Sequence, residues 1–152
     1  MREYRTILVP FDFSAHARAA LSEAANLAKR LGAGLCLIHV IQPPTYAYGY
    51  GASPDAHPFD LNEIHGRAAQ MLNEVADAIP DAPDRVDRQV LEDGSIANAI
   101  QQAAREHKAD MIVMGTHGRT GIAHVFLGSV AERTLRDAPC PVLTVQAPEE
   151  DD

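Results

Sequence analysis

The residues best placed to do chemistry form one loop, Gly115-Thr116-His117-Gly118-Arg119-Thr120-Gly121-Ile122-Ala123-His124-Val125-Phe126-Leu127-Gly128-Ser129. Its skeleton is glycine, two residues, glycine, nine residues, then glycine-serine. Gly115 closes an apolar run and lets the backbone turn with no side chain in a crevice. Gly118 lets main-chain amides approach a phosphate. Gly128-Ser129 opens a helix, whose first N–H groups are unpaired and carry partial positive charge. Arg119 adds a full charge. The chemistry this points to is anion binding, with direction from the main chain and net charge from one guanidinium.

Each residue also has a plainer reading. Ser129 followed by Glu132 fits a capping box, which would make Ser129 the cap of a helix from about Val130. Gly121 serves equally as an ordinary turn residue. His117 and His124 read as solvated loop residues rather than metal ligands, because no third ligand stands at suitable spacing. Asp12 follows the first apolar run. It can cap a helix, or it can orient a ribose, a base or a metal.

Composition removes several classes. The formal net charge is −8, and Lys29 and Lys108 are the only lysines, so nucleic acid is not an expected partner. Neither lysine lies in a glycine loop, as a P-loop hydrolase requires. The first strand is followed by Phe11-Asp12-Phe13-Ser14 and not by the Gly-x-Gly-x-x-Gly of a dinucleotide fold. A phosphoacceptor domain would need an acid ending a buried third strand and a lysine after the fifth, and neither is present. Slow ATP hydrolysis or self-phosphorylation stays open. The apolar run Leu35 to Ile41 is broken by His39 and is far short of the roughly 18 residues of a membrane span. The start of the chain shows no signal-peptide core, so the expected location is cytoplasmic. Cys36 and Cys140, in apolar surroundings, read as buried reduced thiols.

The elements that must position the loop follow from apolar spacing. Strands are predicted over Thr6–Pro10, Leu35–Ile41, Val86–Leu91, Met111–Met114 and Val142–Val145. Helices fall between them: Ala15–Leu31 capped by Ser14 and closed at Gly32, one after Asp60 and Glu63, one opened by Ser95 and ending near His107, and one over Val130–Asp137. The long Gln42–Phe59 segment reads as a loop. Regular alternation implies an α/β fold: a single-domain, doubly wound, five-stranded parallel sheet with helices on both faces. The polar third strand belongs at an edge, giving the order 3-2-1-4-5. One domain would span 1–147, followed by an acidic tail, 148–152. In such a sheet, ligands bind where the winding reverses, here between the Phe11–Ser14 and Gly115–Ser129 loops.

With the glycine skeleton, the segments Ile7-Leu8-Val9-Pro10-Phe11-Asp12-Phe13-Ser14, Met111-Ile112-Val113-Met114-Gly115-Thr116 and Cys140-Pro141-Val142-Leu143-Thr144-Val145 resemble the universal stress protein family. The likeness runs from about Tyr4 to Val145, and the glycine motif is similar to that of the family's ATP-binding branch. It implies a regulatory module holding ATP, ADP or AMP, with Mg²⁺ accompanying the phosphates. Pro10 and Asp12 would lie against the nucleoside, Asp12 near the ribose or the metal. Val40 would contact the adenine. Gly115, Gly118, Gly128, Ser129 and Val130 would surround the phosphates. The resemblance further implies a homodimer through Val142–Val145. A dimer that holds no nucleotide and acts through protein contacts is the alternative.

Overall fold

The computed structural model describes residues 2–43, 60–118 and 127–149. In chain order they form β1 (Thr6–Pro10), α1 (Ala15–Leu31), β2 (Gly34–Ile41), α2 (Leu61–Asp77), β3 (Val86–Glu92), α3 (Ile96–Glu106), β4 (Met111–Gly115), α4 (Ser129–Asp137) and β5 (Val142–Val145). All strand pairs are parallel, in the order β3-β2-β1-β4-β5.

The near-continuous apolar runs of β1, β2 and β4 arise because both sheet faces are covered. Successive side chains point to opposite faces. Ile7, Val9, Leu35, Leu37 and Val113 pack with α1 and Leu72 of α2. Leu8, Cys36, Ile38, Ile112 and Met114 pack with Ile100, Ala103 and Ala104 of α3 and Ala131 of α4. Each fully buried Leu or Ile contributes about 1.5–3 kcal/mol. Helix α1 meets the sheet through Ala17, Ala20, Ala24 and Ala28, so it lies close against the strands. A leucine at the fully buried Ala24 would overpack that contact, at about 1–3 kcal/mol.

The expected caps of three helices are present. Ser14 Oγ accepts from Ala17 N at 3.1 Å, and Asp60 Oδ1 accepts from Asn62 N and Glu63 N at 3.0 and 3.2 Å. Ser95 Oγ accepts from Asn98 N at 3.4 Å. Gly32 closes α1 in the left-handed region, φ 66°. Strand β3 runs one residue past the expected Leu91, since Glu92 still pairs with Ile41.

The start of α4 differs from expectation. Its N-cap is Gly128, with no side-chain cap bond, and Ser129 is already helical. The Gly128 N–H bonds Thr116 O at 2.7 Å, and this tie sets the helix start one residue earlier than the Ser-x-x-Glu pattern implied. Cys140 also differs. It is half-buried before β5, whereas Cys36 is buried. Burial, reinforced by Asp87, pushes the Cys36 thiol up to about 11. Of the expected Gln42–Phe59 loop, residues 44–59 lie outside the described residues.

Candidate functional site

Strands β1 and β4 are neighbours whose chain connections leave in opposite directions. Beyond their carboxyl ends lies a cleft of about 680 Å³. Of the residues singled out from the sequence, Pro10, Asp12, Val40, Gly115, Gly118, Gly128, Ser129 and Val130 all line it. Arg119, Gly121 and His124 lie outside the described residues.

The β1–α1 loop forms one wall. Asp12 Oδ1 accepts from Ser14 N at 3.0 Å, which folds the loop over its own carboxylate. Phe13 takes φ 65°, a conformation that costs a bulky residue energy and that the surroundings must hold. The Phe11 ring meets Phe13 edge-on at 5.0 Å between centroids, and His39 meets Phe13 at 5.1 Å. His39 Nδ1 is 2.7 Å from the Phe11 carbonyl oxygen.

The glycines hold the opposite wall for reasons of packing. A β-carbon on Gly115 would stand 2.8 Å from His16 Cβ and 2.9 Å from the His16 carbonyl carbon. The end of β4 therefore presses on the first turn of α1, which the expectation of an open crevice had not anticipated. A β-carbon on Gly118 would meet Asp12 Oδ2 at 2.8 Å, and one on Gly128 would meet Thr116 O at 2.9 Å.

The electrostatics of the two helix starts differ. The first turn of α1 is capped by Ser14. That of α4 has no side-chain cap, and its residues Gly128, Ser129, Val130 and Ala131 line the cleft. The leading N–H groups of a helix have no intrahelical partner, so an anion in the cleft finds donors and a favourable dipole there. The inner part is apolar, walled by Ile38, Val40, Ile100 and Met114. One end thus suits a flat apolar group and the other an anion.

Several participants went unnoticed in the sequence. His117, read as solvated, is half-buried; its ring lies 5.3 Å from that of His16, and its Nδ1 is 3.0 Å from Thr116 Oγ1. His16 Nδ1 in turn accepts from Ala147 N at 2.9 Å, tying the segment after β5 to this wall. His39 had one visible signal, a lone polar side chain near the carboxyl end of an apolar strand. Among the described residues, no group of three His, Cys, Asp or Glu is gathered to hold a metal ion, and no helix is long and apolar enough to cross a membrane.

The family model of the universal stress protein family matches residues 3–146. This chain belongs to the universal stress protein family. A relative from Thermus aquaticus, the universal stress protein in the QAH/OAS sulfhydrylase 3' region, is 37% identical over 94% of this chain and 99% of its own length. The solved structure of the universal stress protein UspA from Lactobacillus plantarum is 28% identical, with a TM-score of 0.77 over 95% of this chain and 99% of that one. A universal stress protein solved in complex with cAMP shares the fold, at 24% identity and a TM-score of 0.71 over 97% of this chain and 100% of that one.

Proposed function

We propose that this universal stress protein is a regulatory module that binds an adenine nucleotide, ATP above all, between the Asp12 loop and the Gly115–Ser129 loop. One observation carries the reading. The uncapped start of α4 opens into the same cleft whose inner walls are Ile38, Val40, Ile100 and Met114. That pairing of an apolar slot with an anion-seeking helix end matches a base joined to phosphates.

In this reading Pro10 and Val40 flank the adenine, and Asp12 faces the ribose. The main chain of Gly115, Gly118, Gly128, Ser129 and Val130 cradles the phosphates, and Arg119 supplies net charge. Mg²⁺ fits the donor set, because a hard cation takes carboxylate and phosphate oxygens and Asp12 presents its carboxylate to the cleft. When bound, the metal neutralises phosphate charge. The residues do the rest: Asp12 orients, the amides direct, and Ile38 and Val40 exclude water from the base. No lysine stands in the loop to stabilise a transferring phosphoryl group, so the reading is of a binding protein, with slow ATP hydrolysis or self-phosphorylation as the alternative.

A homodimer through β5 belongs to the same proposal. The strand is an edge, and Leu143 on it is 38% exposed. Pairing with a second copy would cover both.

Mass spectrometry of small molecules released from the natively purified protein tests the reading. Adenine nucleotide near one per chain supports it. A nucleotide-free protein that also takes up none from millimolar ATP sinks it and leaves a dimer acting through protein contacts.

A further inference from the structure

The ladder between β1 and β2 stops earlier than the sheet allows. Phe11 N–H donates to Ile38 O at 2.8 Å, as a parallel ladder requires. The next rung would run from Val40 N–H to Phe11 O. Among the described residues that bond is not made. The Phe11 oxygen is instead met by His39 Nδ1 at 2.7 Å. A carbonyl only accepts, so Nδ1 carries the hydrogen. Immediately afterwards the chain turns away through Phe13 at φ 65°, and the His39 ring packs edge-on against Phe13 at 5.1 Å.

The consequence falls on Val40. Leu35 N–H donates to Arg85 O and Asp93 N–H to Ile41 O, so the odd-numbered residues of β2 direct their main-chain groups to the β3 side. Val40, like Ile38, directs its own toward β1, which ends at Pro10. Its N–H and C=O therefore open onto the cleft that Val40 lines. An unpaired strand segment presents a donor and an acceptor at fixed spacing, the pattern that reads the edge of a planar heterocycle as it reads another strand.

We propose that His39 is a positioning residue: by occupying the Phe11 carbonyl and bracing Phe13, it ends the β1–β2 ladder and keeps the Val40 peptide groups open to read the base. This rests on the nucleotide reading above for its ligand, but the open ladder can be tested without one.

The test compares wild type with His39→Phe, which keeps a ring against Phe13 and loses the donor, and His39→Asn, which restores a donor at the δ position. Amide hydrogen exchange in the ligand-free protein should find Val40 N–H exchanging freely in wild type. It should slow by on the order of ten-fold or more in His39→Phe, as the freed Phe11 oxygen takes the rung, and recover in His39→Asn. The preference for ATP over GTP should fall by on the order of ten-fold in His39→Phe, as expected for one lost directed hydrogen bond, and return in part in His39→Asn. Should His39→Phe not fold, judged by thermal melting, His39→Val takes its place. Protection of Val40 N–H in ligand-free wild type, or equal exchange in all variants, overturns the proposal. So does an unchanged ATP-to-GTP ratio in a variant whose Val40 amide is protected. If wild type binds neither nucleotide, the nucleotide reading falls, and the exchange result alone supports or overturns the role of His39.

Discussion

Asp12 and Gly118 come from loops far apart in sequence, yet a β-carbon on Gly118 would stand 2.8 Å from Asp12 Oδ2. The two walls of the cleft touch at this point, and the contact exists only because residue 118 has no side chain. Gly128 is tighter in a different way, because its missing β-carbon would meet the main-chain oxygen of Thr116 at 2.9 Å.

The two glycines should therefore separate. In Gly118→Ala the obstructing atom is the end of a side chain, so Asp12 can turn aside at less cost to the fold than main chain could, but it leaves its place. ATP affinity should fall on the order of ten-fold, with a smaller loss of stability than in Gly128→Ala. In Gly128→Ala the obstruction is backbone, so stability itself should drop by about 1–3 kcal/mol. Calorimetric titration and urea unfolding of both variants check this. Equal stability losses in the two would contradict the distinction.

The proline-sensitive position for dimerisation should be Thr144 rather than Leu143. Ile112 N–H donates to Pro141 O and Thr116 N–H to Val145 O, so β5 turns its odd-numbered peptide groups to β4. Thr144 then faces the free edge. Thr144→Pro removes an outward donor and should give a folded monomer in sedimentation, while wild type sediments at twice the 16.4 kDa chain mass. A monomeric wild type, or a dimer untouched by Thr144→Pro, would remove β5 as the interface.

Arg119→Ala should weaken ATP more than AMP and leave adenosine nearly unchanged. A charge-assisted bond contributes roughly 1.5–3 kcal/mol, or about ten- to hundred-fold in affinity. Calorimetric titration of wild type and variant with the three ligands at pH 8 checks this. Equal losses for ATP and adenosine would make Arg119 a structural residue.

Stability should decline at high pH through Cys36. Its thiol pKa is raised by burial and Asp87 from about 9 to about 11, so the folded state holds the proton that the unfolded chain gives up. The contribution is complete below about pH 9 and is lost as pH rises toward about 11, on the order of 2–3 kcal/mol in all. Urea midpoints should fall across that window in wild type and less in Cys36→Ala. Parallel declines in the two would exclude the thiol as the cause.

The sheet order was legible because β1, β2 and β4 are apolar on both faces while Asp87, Arg88 and Gln89 make β3 polar, and that contrast assigns centre and edge. The site's location followed from the order. Less legible was how its parts are held. The Ser129-x-x-Glu132 pattern resembled a cap, but a long-range bond from Gly128 to Thr116 fixed the helix start, and no local pattern encodes that. Gly115 was read as clearing a crevice, whereas it lets β4 press on α1, a contact across about a hundred residues of chain. Phe13 in the left-handed region is likewise sustained by Phe11 and His39, so its own type gave no hint of the turn.

Calorimetric titration of nucleotide-stripped protein with ATP and Mg²⁺ decides whether the cleft binds an adenine nucleotide through both loops. One ATP per chain should bind, and Gly118→Val, which drives a branched side chain into Asp12, should lose the binding while keeping the wild-type fold by circular dichroism. No heat of binding in wild type up to millimolar ATP, or unchanged affinity in Gly118→Val, would contradict nucleotide binding in this cleft.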